Sequence, residues 1–317
     1  MDSRRLLAAA ALLAIAVVVI SLARAASVPF EPEATLRRVD RVAFLALGRA
    51  GTRLVAAGER GRIVVSDDGG EHWRVAATPT YATLTSLAFV DARTGFATGH
   101  RGTILRTEDG GSTWRAATLA WGDTPALFAL HMEGQRGLAI GAYGAYYDTT
   151  DGGHTWTPRR IMPRDFDRHL TGIAACGAGC LLIAGEAGTL LRSTDAGGTW
   201  QLLPAPYTGS FFGAVAAPDN AVIAFGMRGN AWRTRDRGAS WQRVDLGGYT
   251  GALQGGHFDG EHVTLTGADG FVAASADGIS FTVRPLASRA TVSAHLAIGA
   301  RELHAGPAGL AWSPPRP

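Results

Sequence analysis

No lysine occurs in this sequence. All 30 basic residues are arginines, opposed by 27 acidic residues, and the formal net charge is +3. Because uniform arginine usage is typical of a genome-wide base bias, a single arginine carries little functional weight. A nucleic-acid-binding domain is usually more basic, with its charge clustered on one surface. The composition therefore argues against a nucleic-acid partner.

The sequence also lacks the short motifs of common enzymes and metal sites. It has no Gly-x-Ser-x-Gly elbow, phosphate-binding loop, His-Glu-x-x-His motif or Cys-x-x-Cys pair. The two cysteines, Cys176 and Cys180, flank a glycine-rich turn, where they can form a disulfide in an oxidising compartment. No second cysteine pair or nearby histidine pair completes a zinc site. We predict no catalytic residue, no metal site and no cofactor.

The amino terminus has the pattern of an export signal. Arg4 and Arg5 precede an uncharged run, and the small-residue pattern Ala23-Arg24-Ala25 follows it. The fully apolar part, Leu6–Ile20, is shorter than the ~20 residues that span a bilayer. We predict a signal peptide at residues 1–25, with an uncleaved anchor as the alternative. The expected location is the periplasm, or the outer face of the inner membrane, of a bacterium.

Glycine is abundant, with 42 in 317 residues, and it follows a long repeat. An octapeptide reads SDDGGEHW at Ser66–Trp73 and recurs in five related copies, the last of them shortened. Its aspartates are spaced by 41 to 44 residues, which is the period of propeller blades. They are Asp68, Asp109, Asp151, Asp195, Asp236 and Asp277.

A second motif, Gly-x-x-Gly, precedes each octapeptide and occurs a seventh time at Gly306. Each unit then predicts four short strands, because turn-rich sequence alternates with β-prone runs. In the second repeat these are Ser86–Val90, Gly95–Gly99, Gly102–Thr107 and Thr113–Ala117. Four strands in about 41 residues make one blade. The sequence predicts a monomeric, all-β, seven-bladed propeller over residues 26–317.

The seventh repeat has no octapeptide and thus no predicted outer strand. The segment Leu36–Asp40 resembles the outer strand Trp241–Asp245. We expect this amino-terminal segment to complete the last blade and close the ring.

The octapeptide resembles the Asp-box, or BNR repeat. An aspartate and a Ser or Thr can hold a tight turn through hydrogen bonds to the backbone, and glycine permits positive φ. Six such sites spread around a ring cannot converge on one substrate, so we interpret the aspartates as structural. The tryptophans that begin the outer strands are expected to pack between blades; they are Trp73, Trp114, Trp156, Trp200 and Trp241.

Strings such as Gly95–Trp114, which combine both motifs, resemble the photosystem II assembly/stability factor family. The resemblance extends over nearly all of the predicted mature chain. It implies a seven-bladed, non-catalytic propeller that helps assemble a membrane complex by binding a membrane subunit. It also implies that an arginine-rich surface makes this contact.

Strand order places the Gly-x-x-Gly turns and the connections between blades on one face. The turns offer Arg60, Arg101 and Arg228, beside other residues such as Tyr143 and Glu186. The longest connection, Pro158–His169, adds four further arginines: Arg159, Arg160, Arg164 and Arg168. Arginine binds carboxylates through two parallel hydrogen bonds. We expect this face to bind a membrane protein, its exported segment or an acidic peptide, with solvated loop arginines as the alternative.

A second hypothesis is a sialidase-like glycoside hydrolase, or a sugar-binding propeller, because such proteins also carry Asp-boxes. A glycosidase needs two carboxylates held about 5–9.5 Å apart. Candidates on the predicted binding face are Asp165, Asp167, Glu186 and Asp269, but their spacing does not single out a pair. The uniform repeats also leave little inserted sequence from which to build a substrate pocket.

Overall fold

The computed structural model describes residues 41–119 and 125–313. These residues form seven sheets arranged as the blades of a propeller, which confirms the predicted fold. In each blade the chain runs from the innermost strand outward, and successive strands pair antiparallel.

The strands of blades 1 to 4 follow in chain order. Blade 1 contains β1 Phe44–Ala50, β2 Arg53–Gly58, β3 Ile63–Ser66 and β4 Arg74–Val75. Blade 2 contains β5 Leu84–Phe89, β6 Gly95–Gly99, β7 Ile104–Thr107 and β8 Arg115–Ala116. Blade 3 contains β10 Leu127–Glu133, β11 Arg136–Gly141, β12 Tyr146–Thr149 and β13 Thr155–Pro158, with β9 Thr118–Leu119 pairing parallel to β13. Blade 4 contains β14 Leu170–Ala175, β15 Leu181–Gly185, β16 Leu190–Ser193 and β17 Gln201–Leu202.

The remaining blades follow the same plan. Blade 5 contains β18 Phe211–Ala217, β19 Ala221–Gly226, β20 Ala231–Thr234 and β21 Gln242–Arg243. Blade 6 contains β22 Leu253–Phe258, β23 Val263–Gly267, β24 Val272–Ser275 and β25 Thr282–Val283. Blade 7 has three described strands: β26 Ala294–Ile298, β27 Arg301–Gly306 and β28 Gly309–Ser313. Single-turn 3-10 helices occupy Glu59–Gly61, Ala142–Gly144, Glu186–Gly188, Pro218–Asn220, Met227–Gly229 and Ala268–Gly270.

The second blade shows how the predicted strand limits compare with the structure. The innermost strand begins earlier than expected, at Leu84, and the outer strand shortens to Arg115–Ala116. The predicted start of the third strand at Gly102 is wrong, because this strand begins only at Ile104. Gly99 N–H donates to the Thr103 carbonyl at 3.0 Å, and four residues, 100–103, separate the two strands.

The second strand of each blade is buried on both sides, because a blade is covered by a neighbour on either face. In β2 the five residues from Leu54 to Gly58 are all buried, and β19 is buried along its whole length. Such strands are continuous apolar runs without an alternating pattern. This explains why the sequence of each repeat contains short hydrophobic stretches between polar turns.

Apolar clusters join the blades at six interfaces, between blades 7 and 1 and between each successive pair up to blades 5 and 6. The tryptophan after each Asp-box packs into the cluster shared with the preceding blade, as predicted. The five are Trp73, Trp114, Trp156, Trp200 and Trp241.

The interface between blades 6 and 7 buries polar side chains. His295, Glu302 and His304 are each less than 5% exposed. Arg284 reaches from blade 6 and donates a hydrogen bond to Glu302 Oε1 at 2.9 Å. The His257 ring of β22 lies 6.2 Å from that of His295 on β26. We call this contact region the polar interface.

The ring closes where blade 7 meets blade 1. Strands β26 and β27 lie against β1, and Phe44 and Leu303 share one buried cluster. Arg301 Nη1 donates to Glu71 Oε1 at 3.0 Å. The predicted closing strand, Leu36–Asp40, and the predicted signal peptide lie outside the described residues. Within the described ranges, no helix has the length and hydrophobicity to cross a membrane.

Candidate functional site

The Gly-x-x-Gly turn of blade 1 requires both glycines because of close backbone packing. A Cβ atom on Gly58 would lie 2.0 Å from the Ala43 carbonyl oxygen. One on Gly61, whose φ is +66°, would lie 1.9 Å from the Thr80 carbonyl oxygen in the connection to blade 2. In blades 1 to 6 the residue just before the second glycine also has positive φ, as at Arg60, and its side chain is exposed. The motif therefore holds each turn against its surroundings and displays one side chain to solvent.

Backbone hydrogen bonds place these turns beside the connections between blades. Gly102 N–H donates to the Pro125 carbonyl at 2.7 Å, and Gly229 N–H donates to the Gly251 carbonyl at 2.6 Å. We call the side that carries these turns and connections the turn face.

The octapeptides lie on the opposite side, beside the turns that join the first two strands of each blade. Gly110 N–H donates to the Arg93 carbonyl at 2.8 Å, and Gly152 N–H donates to the Gln135 carbonyl at 2.9 Å. We call this side the Asp-box face. The two faces are arranged as the strand order predicts.

Each Asp-box carboxylate is engaged by its own turn. Asp195 accepts hydrogen bonds from Ser193 Oγ at 2.7 Å, Thr199 N at 2.8 Å and Thr199 Oγ1 at 2.7 Å. These donors lower the pKa of Asp195 to about 2, because they stabilise its charged form. The corresponding Ser or Thr also donates to the carboxylate at Asp68, Asp109, Asp151, Asp236 and Asp277. The aspartates thus hold turns on the Asp-box face.

The tryptophans of the first three Asp-boxes also bond within their own turns. Each indole N–H donates to the carbonyl of the glycine three residues earlier, at 3.0 to 3.2 Å. Trp200 instead donates to the Tyr146 hydroxyl at 3.3 Å. The indole N–H of Trp241 is buried without a partner among the described residues.

Cys176 and Cys180 form a disulfide, with their Cα atoms 5.0 Å apart. It joins the ends of the turn between β14 and β15, where Cys176 N–H also donates to the Cys180 carbonyl at 2.9 Å. The bond staples a turn on the Asp-box face, away from the arginine-bearing turns. No group of three or more His, Cys, Asp or Glu residues within 41–119 and 125–313 is placed to hold a metal ion.

The predicted arginines all belong to turn-face segments or to the end of blade 3. Arg60, Arg101 and Arg228 occupy equivalent turns of blades 1, 2 and 5, each with φ near +56° and an exposed side chain. They are therefore distributed around the ring. Four others lie together in the blade 3–4 connection, which is residues 159–169: Arg159, Arg160, Arg164 and Arg168.

Among the arginines predicted for the site, Arg159 differs because a carboxylate already pairs with its charge. Its guanidinium donates to Asp148 Oδ2 at 2.7 Å and to the Gly198 carbonyl at 2.8 Å. The Asp148 carboxylate raises the pKa of Arg159. This side chain ties blade 3 to the Asp-box of blade 4. Arg168 makes a longer contact, with Nη1 3.4 Å from the Ala187 carbonyl.

A cleft of about 600 Å³ opens between the Ala142–Gly144 turn and the blade 3–4 connection. We call it the blade 3 cleft. Its volume lies within the range of ligand pockets, about 300–1,000 Å³. Its lining combines aromatic, proline and arginine residues, including Tyr143, Phe166 and Arg160.

His169 orders one side of this region, and sequence reasoning did not identify its role. Tyr143 N–H donates to His169 Nδ1 at 3.2 Å, and the two rings meet edge to face with their centroids 4.8 Å apart. His169 N–H in turn donates to Glu186 Oε2 at 3.0 Å. Glu186 thus positions the histidine that holds the exposed tyrosine.

The sequence does contain a signal for the cleft. Ile161, Met162 and Phe166 are apolar residues within an otherwise charged connection, and all three pack against the cluster shared by blades 3 and 4. They anchor the connection to the propeller.

The carboxylates weighed for a glycosidase are dispersed. Glu186 belongs to blade 4 and bonds to His169, whereas Asp269 belongs to the equivalent turn of blade 6. Asp165 and Asp167 lie in the blade 3–4 connection. No hydrogen bond joins any two of these four described carboxylates.

Solved structures show how widespread the fold is. YCF48 bound to D1 peptide is 15% identical, with a TM-score of 0.71 over 92% of this chain and 97% of that one. YCF48 from Cyanidioschyzon merolae is also 15% identical, with a TM-score of 0.68 over 88% and 97%. A catalytically inactive virginiamycin B lyase from Staphylococcus aureus with quinupristin is 12% identical, with a TM-score of 0.73 over 88% and 96%. At these identities the likeness establishes the fold alone.

A search of curated protein sequences gives no match. A family model described as photosynthesis system II assembly factor YCF48, in contrast, matches residues 65–248 and 128–279. Together these matches cover more than half of the chain, and they confirm the family that both repeat motifs indicate. This protein belongs to the YCF48 family of photosynthesis system II assembly factors.

Proposed function

We propose that this chain is an exported, non-catalytic assembly accessory that binds an acidic segment of a membrane protein through its turn face. The observation that carries the proposal is the set of arginines displayed there, three in left-handed turns and three more, Arg160, Arg164 and Arg168, in the blade 3–4 connection.

The family supports a binding role. One member's structure is described as YCF48 bound to D1 peptide, so a peptide is a suitable ligand class for this propeller. Arginine forms charge-assisted, bidentate hydrogen bonds with carboxylates. The Asp-box carboxylates are hydrogen-bonded within their own turns. This favours a binding role for the protein over a hydrolytic one. Export remains a prediction from the amino-terminal sequence.

The first prediction concerns charge on the turn face. Changing Arg160, Arg164 and Arg168 together to Glu should weaken binding of a glutamate-rich peptide with a free carboxyl terminus at least about tenfold. The attraction between the arginines and the acidic peptide then becomes repulsion between like charges. Fluorescence anisotropy of the labelled peptide measures the loss.

A matched control carries the same charge change on the opposite face. Arg136, Arg235 and Arg237 are exposed there, and changing all three to Glu should leave affinity within about twofold at physiological salt. Equal affinity in both triple variants would exclude the turn-face arginines as the binding site. A membrane protein retained from an envelope extract by the wild type and the control, but not by the first variant, is the expected partner. Hydrolysis of glycans by the purified chain would favour the glycosidase hypothesis.

A further inference from the structure

We propose that the blade 3 cleft is a specificity pocket, which takes a large apolar side chain of the bound peptide while Arg160 binds the adjacent terminal carboxylate. This inference rests on the proposed function and adds to it the chemical class of residue that is recognised. The ligand is thus the carboxyl-terminal end of another protein chain, with an aromatic or large aliphatic last residue.

The lining of the cleft suits an apolar side chain. Tyr143 and Phe166 contribute aromatic surface, and Met162 adds a flexible thioether. The lining residues Tyr146 and Tyr147 are buried and pack into the clusters on either side of blade 3. Three prolines complete the lining: Pro125, Pro158 and Pro163. Pockets with apolar walls and a few polar groups bind one ligand in a fixed orientation.

The walls are held in place by contacts within the fold. Phe166 packs directly on Gly144, where an added Cβ would come within 2.8 Å of the ring. Gly144 N–H donates to the Arg168 carbonyl at 2.9 Å, which fixes the turn to the connection. The buried Tyr146 donates its hydroxyl hydrogen to the Gly197 carbonyl at 3.0 Å. Because these contacts belong to the fold itself, binding does not have to order the pocket.

The charge of the cleft favours an anion. Arg159 and Arg160 line it, and no Asp or Glu does so among the described residues. Arg159 is neutralised by Asp148 at 2.7 Å. Arg160 is exposed, and no described carboxylate contacts its guanidinium. A carboxylate at the mouth of this cleft therefore meets one arginine that no described carboxylate neutralises, which suits a terminal carboxylate beside an apolar side chain.

Tyr143 is the exposed side of the pocket. Its side chain is 70% exposed, yet its backbone and ring are both fixed by His169. An exposed, ordered tyrosine loses little conformational freedom when a ligand covers it, and such residues are frequent in binding hot spots.

The test compares two glutamate-rich peptides that differ only in the last residue, Phe or Ala, both with free carboxyl termini. The wild type should bind the Phe peptide about tenfold more tightly, because a buried phenyl ring gains apolar contact. Phe166→Ala and Tyr143→Ala should each reduce this preference at least about threefold while the Ala peptide keeps its affinity. Amidation of the terminal carboxylate should weaken binding to the wild type but not to Arg160→Glu.

Arg235→Glu, on the Asp-box face, serves as the control and should retain the full preference for Phe. Circular dichroism melting confirms that each variant is folded, and Tyr143→Ala removes an exposed side chain, so at least one pocket variant is expected to fold. Equal binding of the two peptides to the wild type would overturn the pocket and leave arginine-dependent binding intact. Failure of both peptides to bind would overturn the proposed function together with the pocket.

Discussion

At the scale of single residues, the Gly-x-x-Gly motif depends on the space around each glycine as much as on backbone conformation. Gly58 adopts an extended conformation that any residue can take, with φ of −172°. Its restriction comes from the Ala43 carbonyl oxygen, which occupies the position a Cβ would need. Sequence reasoning explains glycine by positive φ, and that explanation covers Gly61 but not Gly58.

Gly58→Ala should therefore destabilise the protein by about 2 kcal/mol or more, because the added methyl forces the turn away from the innermost strand. Urea denaturation monitored by tryptophan fluorescence measures the free energy of unfolding. Gly69→Ala provides the comparison: its φ is +71° but nothing lies within 4 Å of the added atom, so the cost should be only about 1 kcal/mol. Equal costs at the two positions would show that close approach is not what requires Gly58.

At the scale of strands and interfaces, the polar interface is distinct from the six apolar ones. His304 Nε2 lies 3.0 Å from Ser313 Oγ, which donates to Glu302 Oε2 at 3.2 Å. Both ring nitrogens of His295 are buried without a hydrogen-bond partner among the described residues. The sequence could not reveal this cluster, because His257, His295 and His304 are far apart until sheet pairing brings their strands together.

The polar interface should make the protein sensitive to acid. Burial, together with the neighbouring His295, lowers the pKa of His304 from 6.5 to about 4. Since the folded state disfavours the charged imidazole, stability is complete above about pH 6.5 and is lost as the pH falls toward about 4. We expect a loss of about 2 kcal/mol between pH 7 and pH 5 from this group.

The measurement is the free energy of unfolding at several pH values. His304→Gln should flatten the dependence between pH 7 and pH 5, whereas His154→Gln, at an exposed position on the Asp-box face, should retain it. An identical pH dependence in wild type and His304→Gln would rule out His304 as the titrating group. Arg284, Glu302, His257 and His295 surround it and are kept unchanged in both variants.

At the scale of the whole molecule, the repeats predict the ring but not the blade 3 cleft. A period near 41 residues with fixed turn chemistry, as at Asp68 and Gly58, determines the number of blades and their two faces. The blade 3 cleft forms where the Ala142–Gly144 turn lies beside the connection that contains Phe166, and the repeat pattern does not predict this contact. Arg159 shows the same limit, because its pairing with Asp148 and Gly198 depends on how two blades pack.

Removal of residues 1–40 tests how the ring is completed. If Leu36–Asp40 supplies the outer strand of blade 7, the truncated chain should melt at a clearly lower temperature, in a single transition, because an open edge weakens both neighbouring interfaces. Differential scanning calorimetry gives the melting temperature, and removal of residues 1–25 alone is the matched control. A melting temperature shared by the two truncated chains would contradict the predicted strand.

The contact between Trp312 and the first Asp-box has a consequence for protein engineering. A Cβ on Gly70 would lie 2.4 Å from the Trp312 ring, so the last described strand lies beside the first blade. The closed ring therefore does not require blade 1 to come first in the chain. A circular permutant with joined termini, opened at the exposed Gly247–Gly248 turn between blades 5 and 6, would carry new chain ends on the turn face. A reporter fused there would lie on the face that we propose as the binding surface.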